Sequence, residues 1–251
     1  MHSTACCRPA IPILHNGGAC AFHYHCQACC SAASSRAPNP MNPATDWPGI
    51  LLASTVCAYW SYVAAMSVRV RRRTRKMAGI VPSQPLEKAM WLIWVPLVLT
   101  WMTLPWLAVT RAEGSWAALP AFARELPWAA LRWLAAGIGL LCLRYSIRSW
   151  RRMGRNWRMA VAPGDETELV TSGPFARVRH PIYALSILLM LCTLAVVPTL
   201  PVLVMAVLHI TMMVTKAHNE ERFLSGLHGA AYADYCRRTG RFVPRFGRGA
   251  G

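Results

Sequence analysis

The side chains best able to do chemistry gather in two stretches of this 251-residue chain. One is 153–183, MGRNWRMAVAPGDETELVTSGPFARVRHPIY, and the other is 216–243, KAHNEERFLSGLHGAAYADYCRRTGRFV. In the first, Thr171-Ser-Gly-Pro174 is a turn, and Pro181 suits the first position of a helix. A helix N-terminus offers unpaired backbone N–H groups and a partial positive charge, which favour a carboxylate or phosphate. Arg179, His180 and Tyr183 around that terminus would add directional donors. In the second stretch, Lys216 and Glu220 follow His209 at spacings that share one helix face. Glu220 and Glu221 there would complement a cation. The pair of stretches therefore suits a zwitterion with a further positive centre, or a phospholipid headgroup. The same residues also suit a plain membrane-surface face, with arginines on lipid phosphates and Glu220/Glu221 as helix-end charges.

What positions these stretches is legible from hydropathy. The chain is 55% hydrophobic and 15% charged, with 27 Lys+Arg against 10 Asp+Glu. That apolar content excludes a disordered chain, and the low charge argues against a soluble enzyme. A bilayer core about 30 Å thick needs about 20 apolar residues per spanning helix. The spans 47–68, 89–109 and 128–147 meet that requirement, the last with Arg132 and Arg144 near its ends. The apolar stretch 182–215 is broken by Pro198-Thr-Leu-Pro201 and reads as a helical hairpin with short arms. The expected fold is all-α: an integral membrane protein of about five transmembrane helices, the last two a hairpin.

Basic residues fix an expected orientation. Segments 69–88, 148–180 and 216–251 each hold seven Lys/Arg, whereas 1–46, 110–127 and 198–201 together hold four. The positive-inside rule then places the N-terminus outside and the C-terminus in the cytoplasm, in keeping with a bacterial inner membrane. In that setting the run from Arg69 to Lys76 is a topology anchor rather than a nucleic-acid arm. Arg132 and Arg144 are expected to snorkel to the nearest interface. Trp47, Trp91, Trp106, Trp128 and Trp150 are expected in an aromatic belt.

The chain divides into an extension 1–46, a first helix pair with its loop 47–127, and a core 128–251. Residues 1–40 hold six cysteines without the paired spacing of a structural zinc site. They read as disordered or spurious, with translation expected to start at Met41. No metal site is expected. Cys57, Cys142, Cys192 and Cys236 are scattered singly and suggest packing rather than disulfides.

The run Leu169-Val-Thr-Ser-Gly-Pro-Phe-Ala-Arg-Val-Arg-His-Pro-Ile-Tyr183, followed by Glu220-Glu221-Arg-Phe-Leu224, Tyr232-Ala-Asp-Tyr235 and Pro244, resembles the isoprenylcysteine carboxyl methyltransferase family. The similarity covers roughly 150–244. That family belongs to a wider group of integral-membrane methyltransferases that includes phospholipid N-methyltransferases. The resemblance implies S-adenosyl-L-methionine in a cytoplasm-facing pocket closed by the C-terminal segment. On that basis Leu169 and Val170 would line the cofactor and Phe175 would pack on it. His180, Pro181, Tyr183 and Glu220 would hold it. The resemblance implies a lipid or prenylated acceptor entering sideways from the bilayer, with Lys216 and Arg179 on the substrate and Lys216 and Glu221 nearest the chemistry.

Two positions depart from the family. Phe175 stands where some members have Tyr. Lys216 stands where the isoprenylcysteine enzymes carry an arginine, so the charge is kept but the planar two-donor fork is lost. The acceptor is thus left open between an isoprenylcysteine-like carboxylate and a lipid headgroup. If it is an amine, Glu221, His218 or His209 would be candidate bases. Two rivals are an NADPH-dependent sterol-type reductase with a similar Arg-His-Pro-x-Tyr hairpin, and a non-catalytic lipid-binding subunit. The reductase is disfavoured by Ala184-Leu185, where Gly-Glu would be expected.

Overall fold

The computed structural model describes residues 46–74, 85–111, 114–153 and 169–245. The cysteine-rich stretch, Met41 and the Asn156-Trp157-Arg158 segment lie outside the described residues. Five helices carry the fold: α1 (Trp47–Thr74), α2 (Pro85–Thr110), α3 (Trp128–Met153), α4 (Pro181–Val196) and α5 (Leu200–Arg238). Short 3₁₀ turns occupy Ala121–Arg124 and Gly173–Ala176, and no described residue belongs to a strand beyond one isolated bridge. The protein is an all-α integral membrane protein. Helices α1, α2, α3 and α5 are long and apolar enough to cross a bilayer, while α4 is a shorter apolar helix of 16 residues.

Each long helix outruns the apolar span read from the sequence. Charges such as Arg148, Arg151 and Arg152 end a hydrophobic window but not a helix, because arginine is a good helix former. The part of α5 before its kink, 200–228, extends about 43 Å at 1.5 Å per residue. Its apolar part ends at Thr215, and the remainder from Lys216 is polar. Gly229 then breaks it with φ +49°, a left-handed conformation that glycine adopts without a Cβ clash. The chain after that kink, 230–238, packs back on the turn before α4.

The core is a seam of aromatic and small residues. Gly139 lets α3 close on its neighbours, since a Cβ there would stand 3.0 Å from Leu52 Cδ1 and 3.3 Å from Leu189 Cδ1. Trp101 of α2 donates to Thr193 Oγ1 of α4 at 2.9 Å and meets the His209 ring of α5 edge-on. His209 is fully buried, with Nε2 3.0 Å from Ser186 Oγ. The four described cysteines outside the N-terminal stretch are all free.

Arg132 overturns its expected snorkelling. It is 4% exposed; its Nε donates to Val196 O at 2.8 Å and one Nη lies 2.7 Å from both oxygens of Asp46. The physical reason is the shortness of α4, whose last carbonyls have no helical partner. Arg132, with Trp128 Nε1 on Ala195 O at 3.0 Å, supplies donors there. Asp46 neutralises the arginine while its own side chain accepts from Gly49 N at the start of α1. Arg144, in contrast, is exposed. Trp150 also departs from the belt: it is 2% exposed and packs between Tyr59 and Tyr62.

A candidate active site at the start of the fourth helix

Three segments build the site: the turn leading into α4, the charged part of α5, and the strap after α5. Pro181 sets the first residue of α4, leaving His180 as the flanking residue, with φ −121° and ψ 63°. The strap runs beside the turn as one parallel bridge, Val178 to Gly240. Arg179 N donates to Gly240 O at 2.8 Å, His180 N to Arg241 O at 3.0 Å, and Gly240 N to Arg177 O at 3.2 Å. Gly240 is required by space: a Cβ would sit 1.7 Å from Val243 O. Tyr235, after the α5 kink, donates its hydroxyl to Phe175 O at 2.6 Å. The bridge and this bond fold the chain end over the turn.

Within that frame lies a charge cluster. Consecutive residues on a helix diverge by about 100°, so Glu220 and Glu221 reach different neighbours and meet only at His180. Tyr183 donates to Glu220 Oε1, and Lys216 Nζ lies 3.6 Å from the same oxygen, one turn earlier on α5. Glu221 is gripped by Arg179 Nε at 3.0 Å and by Arg241, whose nearest nitrogen is 2.6 Å away. His180 Nδ1 is 3.6 Å from Glu220 Oε2. Its Nε2 is 3.3 Å from Glu221 Oε1, at an angle too poor for a full hydrogen bond. The imidazole stacks on Tyr183, 5.4 Å between centroids and 5° from parallel.

Burial alone would raise the Glu221 carboxyl. The close approach of the His180 imidazole and the hydrogen bonds from Arg241 and Arg179 outweigh it and hold the group well below the usual carboxylate range. Arg179 also donates to Thr239 O at 2.5 Å and Cys236 O at 3.3 Å. Arg179 is thus occupied in holding an anion that the chain itself supplies. His218 Nδ1 is 2.9 Å from Val214 O, which can only accept. Its proton is therefore on Nδ1, leaving Nε2 to accept from Arg241 Nη1 at 2.7 Å.

The cluster opens on an apolar, half-open cavity of about 110 Å³, walled by Tyr59 and Trp60 of α1, Trp91 and Trp94 of α2, and Trp150 of α3. Tyr183, Ser186 and Lys216 complete it from α4 and α5. Tyr183 and Lys216 therefore belong both to the charge cluster and to the cavity wall.

Of the residues singled out in the sequence, Arg179, His180, Tyr183, Lys216, Glu220 and Glu221 come together. Phe175 is buried under the strap, Pro181 opens α4, and Leu169 and Val170 are half-buried at the start of the described turn. Arg241 was missed, because nothing in the spacing of Thr239-Gly240-Arg241 connects it to a carboxylate 20 residues away. The aromatic wall of α1 and α2 was missed because Trp91 was read as a belt residue, and nothing in the spacing of Tyr59, Trp60 and Trp94 says which way their rings face.

Comparison with known proteins matches the core of this site. Residues 137–226 fit the model of the isoprenylcysteine carboxyl methyltransferase (ICMT) family. The resemblance seen in the sequence is borne out over that segment. The ICMT segment runs from within α3 to within α5 and includes the turn, His180, Tyr183, Lys216, Glu220 and Glu221. The strap and the α1–α2 wall of the cavity fall outside it.

Two curated relatives align over a similar length. The cobalt-zinc-cadmium resistance protein CzcN of Cupriavidus metallidurans is 35% identical over 95 residues, 37% of this chain and 44% of that protein. The nickel-cobalt-cadmium resistance protein NccN of Alcaligenes xylosoxydans xylosoxydans is 29% identical over 94 residues, again 37% and 44%. The chain thus spans less than half the length of the curated relatives it matches.

Proposed function

We propose that this protein is a membrane methyltransferase that uses S-adenosyl-L-methionine to methylate a membrane-soluble acceptor. The observation that carries the reading is the meeting of the ICMT-segment charge cluster with the aromatic cavity at Tyr183 and Lys216. A charged cofactor beside the cluster and an apolar acceptor in the cavity would then face each other across those two side chains.

The residues present fit the cofactor's chemistry. Its amino and ribose groups need acceptors, which Glu220 provides. Its carboxylate needs donors, which the first-turn N–H groups of α4 provide. Tyr232 Oη is buried with no hydrogen-bond partner among the described residues, as expected of a group left for a ligand. Leu169, Val170 and Phe175 would line its apolar side. When bound, the sulfonium supplies an activated methyl group for in-line displacement.

The chain's own contribution is position and exclusion of water. Arg179 and Arg241 lock Glu221, which with the strap fixes the turn and so His180. Tyr183 and His180 orient Glu220. Lys216 places positive charge where the acceptor's reacting atom would lie. Glu221, with its oxygens occupied and its carboxyl held low, acts in this scheme as a clamp beside the chemistry rather than as a base.

The charge asymmetry supports a cytoplasmic C-terminus and site, with the N-terminus outside. The bacterial sources of both relatives support an inner membrane. The test is transfer of labelled methyl from S-adenosyl-L-methionine to a bacterial lipid extract by purified protein. Label should enter the lipid fraction with wild type and fall at least tenfold with His180→Ala. Equal labelling by both proteins, or none by wild type, would overturn the proposal.

A further inference from the structure

The exposed side of α3 changes from apolar to basic partway along the helix. We propose that Arg144, Arg148 and Arg151, with Tyr145, form a docking site for an anionic phospholipid of the leaflet on the catalytic cluster's side of the bilayer. The site is separate from the cavity and stands independently of the methyltransferase reading.

Helical spacing lines these residues up. The exposed stripe of α3 runs through Leu134 and Leu141 and then through Arg144, Arg148 and Arg151. Steps of three, four and seven residues return to one side of a helix. The opposite side, with Gly139, Cys142, Ser146 and Ser149, is buried against the bundle. A lipid lying along the exposed stripe therefore meets apolar side chains at one level and guanidiniums at the next.

Depth sharpens the demand for an anion. From Trp128 to Arg144 the helix rises about 24 Å at 1.5 Å per residue, against a hydrocarbon core about 30 Å thick. Arg148 and Arg151 follow at about 30 and 35 Å on the same rise. A guanidinium at the level of Arg144 is costly in lipid unless its stem carries it toward the headgroups, where Arg148 and Arg151 wait. Arginine's planar fork clasps two oxygens of a phosphate, and the exposed Tyr145 adds a hydroxyl beside the lowest rung.

These arginines have no anion of their own. Arg132 is met by Asp46, Arg179 and Arg241 share Glu221, and the exposed Arg237 and Arg238 share Asp234. By contrast, α3 contains no acidic residue, and Arg144, Arg148 and Arg151 make no ion pair with any described residue. The ladder is also held in place. Arg152, the next residue, donates Nε and one Nη to Ser172 Oγ at 3.1 and 2.8 Å, tying the end of α3 to the turn before α4. A fixed ladder binds a headgroup without first having to be ordered.

Charge and depth together choose the occupant. A second copy of this face would set arginine against arginine. An acidic soluble protein or a nucleic acid cannot follow Arg144 into the hydrocarbon. An anionic phospholipid satisfies both levels, with phosphate on the guanidiniums and acyl chains on Leu134 and Leu141. A zwitterionic headgroup brings its own cation, which the ladder repels.

Native mass spectrometry of the full chain in neutral detergent tests this, with phosphatidylglycerol and phosphatidylethanolamine of matched acyl chains titrated in turn. Wild type should bind its first phosphatidylglycerol at least tenfold more tightly than its first phosphatidylethanolamine. Arg144→Gln/Arg148→Gln, with helix content checked by circular dichroism, should cut that preference to threefold or less. Arg237→Gln/Arg238→Gln, which removes the same charge from arginines already paired with Asp234, should leave it unchanged. Arg148→Gln alone should lower the preference at least twofold, so the test survives misfolding of the double variant. Equal binding of the two lipids by wild type, a preference that outlasts the α3 substitutions, or one lost equally in the α5 control would overturn the proposal. So would a dimer that forms in place of lipid binding and is lost with Arg144→Gln/Arg148→Gln.

Discussion

Arg241, on the strap beyond the last helix, closes on Glu221 of α5 with its nearest nitrogen 2.6 Å from Oε2, on the carboxylate that Arg179 holds from the turn before α4. Two guanidiniums, one from the turn and one from the strap, thus share one anion, and removing either leaves Glu221 with a single guanidinium. Arg241→Met should loosen the strap without melting the bundle. Its amide hydrogens over 239–245 should exchange at least tenfold faster, while those of α3 and α4 are unchanged.

The same carboxylate sets an acid response. Glu221 titrates well below its ordinary value, so its contribution to stability is complete above the unfolded-state pKa of about 4.3. It is lost progressively as pH falls below that. Between pH 5 and 3, wild-type protein should lose more thermal stability than Glu221→Gln. Parallel loss in both would contradict the pairing as drawn.

The strap's fit depends on Gly240. A methyl group there cannot coexist with Val243 O, so Gly240→Ala should displace the strap from Arg177–His180. S-adenosylhomocysteine affinity should fall at least tenfold while helix content by circular dichroism is retained.

Asp46 and Arg132 make the opposite kind of prediction. Removing one member of a buried pair typically costs about 3–5 kcal/mol, because the other charge is left uncompensated. Asp46→Ala should lower the unfolding temperature in detergent markedly. Asp46→Leu combined with Arg132→Met should recover part of that loss, with the Val196 carbonyl still lacking its donor.

The fold was largely legible, because lipid imposes long uncharged runs that a sequence cannot hide. The spans beginning at Trp47 and Trp128 start where the helices do, and the break around Pro198 is the observed hairpin turn. Helix ends were less legible. Hydropathy stops at Arg148, whereas the backbone hydrogen bonds continue to Met153. The site's members could be named from local motifs, but their pairing could not. Arg132 looked like a snorkelling residue because its partner lies 86 positions away. Trp150 looked like a belt residue because sequence position near a helix end does not say which way a ring faces.

The central claim concerns the cofactor, and ligand-dependent stabilisation of the detergent-purified chain tests it most directly. A ligand that binds only folded protein stabilises it by about 2.7 kcal/mol at one hundred times its dissociation constant. S-adenosylhomocysteine should raise the unfolding temperature, NADPH should not, and His180→Ala and Glu220→Ala should each abolish the shift. A shift with NADPH alone, or none with S-adenosylhomocysteine in folded protein, would contradict the account.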